Sequence, residues 1–285
     1  SVMGNEIALL GATEIREIAS RLELRPAKSM GQNFVIDGNS CQKIVRVAGV
    51  TSDDLVLEIG PGLGSLSLAI LQAGAKLVAV EIDNRLANEL ANTLRSHNCV
   101  ADTFTVINKD ALAVDELGEF PTKLVANLPY NISVPVLLHI LAKFPSITSG
   151  VVMVQTEVAE RLAAKSGSKI YGIPSAKAAW WADLSLGGTI SRSVFWPVPN
   201  VDSSLVKFHR HQPLGSEVER NLTFTVIDQA FSQRRKMLRS VLADLCGGNS
   251  QAESILNTIG IDPTLRGESL TIHDFLKIAS ALAKK

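Results

Sequence analysis

The sequence predicts an α/β protein: a mostly parallel, doubly wound sheet of seven strands, followed by a small all-helical C-terminal domain. Three observations carry that expectation. Short apolar runs alternate with amphipathic helical runs through the first part of the chain. A glycine-rich turn joins the first long apolar run to a helix, as in nucleotide-binding βα units. Beyond Gln212-Pro213-Leu214-Gly215-Ser216, the clearest linker, every periodic segment reads as helix. The expected domains are therefore 1–211 and 212–285. A chain of 285 residues that is 46% hydrophobic is long enough for one large core and one small one. Formal net charge is +0, so a nucleic-acid surface has to be a local patch. The three cysteines, Cys41, Cys99 and Cys246, are far apart and form neither a metal nor a disulfide pattern, which fits a reducing, cytoplasmic setting. No apolar run reaches the ~18 residues of a membrane span, and the first residues lack the basic-then-apolar layout of an export signal.

Taken in order, Gly11 to Leu24 has Ile15, Ile18, Ala19 and Leu22 at helical spacing, with Thr13 as the expected N-cap. A basic, Gly- and amide-containing loop, Lys28 to Asp37, leads to a helix over Ser40–Val47. Leu55–Ile59 is the first sheet strand. It runs into Gly60-Pro61-Gly62-Leu63-Gly64 and a helix over Ser65–Ala73. Glycine suits a turn that needs positive φ or a close-lying ligand. The spacing is G-x-G-x-G rather than the dinucleotide G-x-G-x-x-G, with Glu58 two positions before the first glycine; this turn alone leaves a nicotinamide cofactor open. Lys76–Ile82 is the second strand. Glu81 at its end sits about 20 residues past the turn, where a carboxylate accepts from ribose hydroxyls; it would equally suit the N-terminus of the helix over Asp83–Thr93. Phe104–Ile107 is the third strand, and Asp110 just beyond it fits either a ligand contact or an N-cap. Lys123–Ala126 is the fourth, entering Asn127-Leu128-Pro129-Tyr130 ahead of a helix over Ser133–Lys143. Gly150–Gln155 is the fifth. Strands that alternate with helices form a parallel sheet.

A helix over Thr156–Lys165 and a polar loop over Gly167–Tyr171 come next. A helical stretch over Pro174–Ala182 ends in Trp180 and Trp181, and adjacent Trp residues cannot share one helix face, so one is expected to reach a second surface. Asp183–Leu186 and Ser203–Phe208 have no helix between them and read as an antiparallel edge. Between them lies the stiff loop Phe195-Trp196-Pro197-Val198-Pro199-Asn200-Val201-Asp202, in which Phe195 either stacks on a base opposite Tyr130 or packs beneath the loop. In the C-terminal part, Thr225–Leu245 reads as one helix ending at Gly247-Gly248. Its apolar stripe runs from Ile227 to Leu245, with Arg235, Lys236 and Arg239 on the opposite face and Arg234 nearby. This is the densest positive cluster in a neutral chain, either solvated surface or a phosphate contact. Helices over Gln251–Ile259 and Thr271–Lys284 follow, the latter capped by Thr271 with Asp274.

Asn127-Leu128-Pro129-Tyr130 offers an amide that accepts and donates, a fixed turn, and a flat ring with a polar tip. The tetrapeptide resembles the Asn/Asp-Pro-Pro-Tyr signature of amino methyltransferases, and the Gly60 turn resembles motif I of class I S-adenosylmethionine-dependent methyltransferases. With Gly31-Gln32-Asn33-Phe34, Gln155-Thr156-Glu157-Val158, Val198-Pro199-Asn200-Val201-Asp202-Ser203, Phe231-Ser232-Gln233-Arg234-Arg235-Lys236 and Gly260-Ile261-Asp262-Pro263, the ordered set resembles the ribosomal RNA adenine N6-dimethyltransferase family, in particular its small-subunit branch.

That resemblance implies a class I, Rossmann-like fold and S-adenosyl-L-methionine as cofactor, contacted by Asn33, Val35, Gly60, Gly62, Glu81, Asp110 and Asn127. It implies catalytic roles for Asn127, Leu128, Tyr130 and Phe195, and RNA contacts from Arg234, Arg235, Lys236 and Arg239. The implied substrate is a pair of adjacent adenosines in a hairpin near the 3′ end of 16S rRNA, in a 30S precursor. The implied enzyme is a monomer that needs no metal and no membrane. Val35 replaces the Leu of many members, and Ala27-Lys28-Ser29-Met30 is less basic than the usual lead-in. Large-subunit adenine methyltransferases of macrolide resistance share the chemistry; the long C-terminal region and Leu128 favour the small-subunit branch. A non-catalytic assembly factor on the same fold is the remaining alternative, and intact Asn127 and Tyr130 argue against it.

Overall fold

A computed structural model of the chain describes residues 6–24 and 33–284. Gly31 and Gln32 of the first motif, and the lead-in Ala27 to Met30, lie outside the described residues. The elements in order are α1 (Ala12–Arg21), β1 (Phe34–Val35), α2 (Gly38–Ala48), β2 (Leu55–Ile59), α3 (Ser65–Gln72), β3 (Lys76–Glu81), α4 (Asn84–Ser96), β4 (Phe104–Asn108), β5 (Lys123–Asn127), α5 (Ser133–Lys143), β6 (Ser149–Gln155), α6 (Thr156–Ala163), α7 (Ile173–Ala178), β7 (Ala182–Ile190), β8 (Phe195–Trp196), β9 (Ser203–Arg210), α8 (Glu217–Ala230), α9 (Leu238–Val241), α10 (Ala243–Cys246), α11 (Asn249–Thr258) and α12 (Ile272–Ala283).

Seven strands form one sheet in the order β4-β3-β2-β5-β6-β9-β7, and β1 pairs with β8 in a small second sheet. The pairs among β2 to β6 are parallel, and β6 with β9 is antiparallel. Their near-continuous apolar sequences follow from burial on both faces: Val56, Leu57, Val78, Ala79, Val125 and Val152 have no measurable exposure. The register positions the site. Ile59 stands opposite Val80 and Ala126, Glu81 opposite Asn108, and Asn127 opposite Met153, so the carboxyl ends of four strands come out level. Ligands bind at that edge of an open α/β sheet.

The chain divides into two compact units, one holding the described residues up to Ala159 with Ser185–Arg210, the other Glu160–Leu184 with the C-terminal residues from His211. Glu160–Leu184, expected with the sheet, instead packs with the C-terminal helices. Trp180 and Trp181 both meet the Phe224 ring edge-on, at 6.4 and 5.5 Å, and Tyr171 meets Phe231 at 6.0 Å.

Four local expectations are corrected. Gly11, not Thr13, is the N-cap of α1, without a side-chain bond. Among the described residues, β4 and β5 are joined by a 3-10 turn, Ala111–Ala113, rather than an α-helix. The Trp pair does not share a helix: α7 ends at Ala178, the Trp180 and Trp181 amides bond back to Lys177 and Ala178, and both rings are buried. The helix read over Thr225–Leu245 stops at Ala230 and resumes at Leu238, where the first amides of α9, those of Leu238 and Arg239, bond to the Leu265 and Pro263 carbonyls at 2.7 and 3.1 Å. The apolar stripe is still buried at Ile227, Ala230, Leu238, Val241 and Leu242.

Candidate functional site

A cavity of about 580 Å³ opens at the carboxyl edge of the sheet, within the first unit. This volume falls in the usual range for small-molecule sites, roughly 300–1,000 Å³. Its walls include Asn33, Phe34 and Val35 from the β1 region, the Gly60–Leu63 turn, Glu81, Asp110, Asn127 to Tyr130, and Phe195 to Val201.

The floor is the turn after β2. Gly60, Gly62 and Gly64 all have positive φ, at 70°, 58° and 103°. A Cβ on Gly60 would lie 2.8 Å from the Asn127 backbone oxygen. Cβ atoms on Gly62 and Gly64 would meet the Phe34 ring and Leu90 at 3.0 and 2.8 Å, so the G-x-G-x-G pattern answers to positive φ and to three different close neighbours. The Gly62 amide donates to Glu81 Oε1 at 3.1 Å and the Asp83 amide to Oε2 at 2.9 Å. Both carboxylate oxygens are thus fixed at the cavity wall. Burial pushes the Glu81 carboxyl up, while the two amides pull the other way. Asn108 donates to the carbonyls of Glu81 and Ile82, at 2.9 and 3.2 Å, which holds the end of β3 in place. Asp110 accepts from the Leu112 amide at 3.0 Å and also lines the cavity, so its capping and wall positions coexist.

Beneath the floor, Glu58 is 1% exposed and accepts from the Ser67 hydroxyl. Burial pushes its carboxyl up to about 8, with Glu81 adding to the effect and Ser67 opposing it. Beside it, the Ser65 hydroxyl is buried at the cavity wall with no hydrogen-bond partner among the described residues. An orphaned buried hydroxyl is costly unless a ligand satisfies it. That hydroxyl, the fixed Glu81 carboxylate, Asp110 and the Cβ-free Gly60 make a donor and acceptor set suited to a nucleoside-bearing cofactor.

The opposite wall holds the Asn-Leu-Pro-Tyr segment. Asn127 closes β5, and its side-chain amide donates to the Asn33 carbonyl at 3.4 Å. Leu128 is anchored by its amide to the Met153 carbonyl at 3.0 Å. Tyr130 stands 61% exposed at the rim. Phe195 lines the cavity but is 3% exposed, paired through β8 with Val35. Asn33 reaches across with its side-chain amide to the Pro197 carbonyl at 2.6 Å. The structure therefore brings together Asn33, Val35, Gly60, Gly62, Glu81, Asp110, Asn127, Leu128, Tyr130 and Phe195.

The basic cluster lies in the second unit. Arg234 is in the turn after α8, where it donates to the carbonyls of Lys169 and Tyr171 and lies over the Phe231 ring at 5.6 Å. Arg239 sits 3.8 Å from Glu253. Arg235 and Lys236 are exposed. Sequence reading missed Ser65, Ser67 and Asn108. The helix pattern does not separate Ser65 from Ser67; the signal was a strand carboxylate, Glu58, that would need a buried donor. No group of His, Cys, Asp and Glu among the described residues is placed to hold a metal, and no described helix is long and apolar enough to cross a membrane.

The ribosomal RNA adenine dimethylase family matches residues 24–284. The ribosomal RNA small subunit methyltransferase A of Leifsonia xyli is 54% identical over 279 residues, covering 97% of this chain and 99% of that protein. The proteins of the same name from Paenarthrobacter aurescens and Cutibacterium acnes are 53% and 51% identical, covering 96% and 98% of this chain and 94% and 96% of theirs. Two solved structures share the fold. A dimethyladenosine transferase from Plasmodium falciparum has a TM-score of 0.74 at 24% identity, covering 87% of this chain and 96% of that one. The 23S rRNA methyltransferase ErmE has 0.67 at 23%, covering 88% and 100%. With a Rossmann-like, mostly parallel sheet carrying this site, the chain belongs to the ribosomal RNA adenine dimethylase family.

Proposed function

We propose that the chain transfers methyl groups from S-adenosyl-L-methionine to N6 of two adjacent adenosines near the 3′ end of small-subunit rRNA, acting as a monomer on a 30S precursor in the cytoplasm. The small-subunit substrate is favoured over the large-subunit one by relatives that are more than half identical over nearly the whole chain and bear the small-subunit name.

The observation that carries the chemistry is the orientation of Asn127. Its amide nitrogen is engaged by Asn33, so Oδ1, at the other end of the carboxamide, is the acceptor available to a substrate amine. Adenine N6 is a poor nucleophile because its lone pair is delocalised into the ring. Two acceptors, Asn127 Oδ1 and the Leu128 carbonyl, draw its two hydrogens out of the ring plane and localise that lone pair. They also stabilise the positive charge that develops on nitrogen during attack. Tyr130, exposed at the rim, offers its face to a base that has left its stack. Phe195 closes the wall behind it. S-adenosylmethionine, when bound, would supply a sulfonium methyl whose carbon–sulfur bond breaks as the bond to N6 forms, leaving the neutral thioether, and the proton that N6 then sheds would pass to solvent. Glu81 would take its ribose hydroxyls, Asp110 its adenine amine, and the Gly60–Gly62 turn would lie against it. The remaining contribution is alignment.

Asn127→Ala is expected to lower methyl transfer at least about 100-fold. Cofactor affinity, read by calorimetry, should fall no more than about tenfold. Full activity in this variant would overturn the mechanism.

A further inference from the structure

The cavity rim has a second side that the reacting groups leave unexplained. Val198 and Val201, 58% and 44% exposed, line the same cavity as Tyr130. Apolar side chains left exposed at the mouth of a cavity are available to a ligand that enters it. The segment that carries them, Pro197 to Val201, belongs to neither β8 nor β9, so no strand ladder fixes its shape.

Side chains do so instead. Asn33 holds the Pro197 carbonyl at 2.6 Å. Arg192 Nη1 holds the Asn200 carbonyl, also at 2.6 Å. The Arg192 amide and Nε both reach Asp202 Oδ1, at 2.9 and 3.3 Å. The amide and hydroxyl of Thr156 both donate to the Asp202 carbonyl at 3.1 Å. The carbonyls of residues 197, 200 and 202 are thus each tied to the body of the unit. Arg192 holds both neighbours of Val201, Asn200 and Asp202, and does not itself line the cavity. Its bonds to Asp202 hold that carboxyl below the usual range.

We propose that Arg192 is a positioning residue for the RNA side of the site: by gripping Asn200 and Asp202 it sets the lip of Val198 and Val201 against which the target nucleotide and its neighbour rest. The inference builds on the rRNA methyltransferase reading. An apolar lip on the cavity that also holds Tyr130 suits the flat faces of purines in a single strand. Arg192 touches neither substrate nor cofactor, so its loss should act on RNA recognition and leave the reacting groups in place.

The test uses the full chain, small ribosomal subunits lacking adenine dimethylation, and labelled S-adenosylmethionine. Arg192→Met keeps the length of the stem and removes every guanidinium bond. It should raise KM for the subunit about tenfold, with kcat and the cofactor dissociation constant within about threefold of wild type. Arg192→Lys, which keeps one donor and the charge, should recover part of the loss. If Arg192→Met melts early, Asp202→Asn, which keeps an acceptor for the Arg192 amide but not the charge, should show the same rise in KM on a smaller scale. Unchanged KM in a folded Arg192→Met protein, or a loss of cofactor affinity equal to the loss in KM, overturns the positioning role. Wild-type protein that transfers no methyl overturns the underlying function instead, so the two failures are distinct.

Discussion

Glu58 lies at the cavity, 1% exposed, with Ser67 as its donor. The usual value of 4.5 for its carboxyl is pushed up to about 8 by burial. Between those two values the folded chain holds a proton that the unfolded chain has released. The stability linked to this proton is fully present below about pH 4.5 and is lost as pH rises through about 8. Glu58→Gln keeps an oxygen for Ser67 and removes the titration. Thermal melts of wild type should therefore fall more steeply than those of the variant from pH 5 to 9, and the variant should be the more stable at the alkaline end. Parallel curves would contradict this. At the same scale, Arg234 is a lesson in what a charge pattern leaves out. Sequence reading grouped it with Arg235 and Lys236, but its guanidinium is engaged by two backbone carbonyls and a ring. Arg234→Ala should consequently lower the melting temperature, whereas Arg235→Ala should not.

Among elements, the turn after β2 makes the sharpest demand on sequence. Gly60 combines φ of 70° with a position where a Cβ would sit 2.8 Å from the Asn127 carbonyl oxygen, a backbone atom that cannot step aside. Gly60→Ala should cost about 1–3 kcal/mol of stability and weaken cofactor binding at least about tenfold, because relief requires moving the turn or β5. A chemical denaturation midpoint and a calorimetric titration check both; unchanged cofactor affinity would contradict the close approach. This turn, the strand ends and the Asn-Leu-Pro-Tyr segment were legible in sequence because they are local: apolar period, glycine spacing and strand-to-helix order lie within a few residues of one another. The stop of α8 at Ala230 was not legible. Where the helix resumes, the Leu238 and Arg239 amides go to the Leu265 and Pro263 carbonyls, far along the chain and invisible to a local pattern. The bond from Asn33 to Pro197 spans 164 residues and left no trace in any periodicity. The Trp pair was misjudged for a related reason, since the helix that would have separated the two faces ends before them.

Considered as a whole molecule, the chain carries no net charge, and its exposed pair Arg235 and Lys236 lies in the second unit while the cavity lies in the first. We propose that recognition of the phosphate backbone falls to the second unit and chemistry on the base to the first. Arg235→Gln with Lys236→Gln should weaken binding to small subunits and reduce the slope of log affinity against log salt by about 1.5 to 2, with cofactor affinity unchanged. An unaltered slope would place the phosphate contacts elsewhere. If this cavity methylates adenine in small-subunit rRNA, that rRNA will carry the product. The most direct measurement is transfer of labelled methyl from S-adenosylmethionine to purified small and large ribosomal subunits lacking adenine dimethylation, with nucleoside analysis of each rRNA. N6,N6-dimethyladenosine is expected in the small subunit alone, abolished by Asn127→Ala. Label confined to the large subunit, or no label in either while the cofactor still binds, would contradict it.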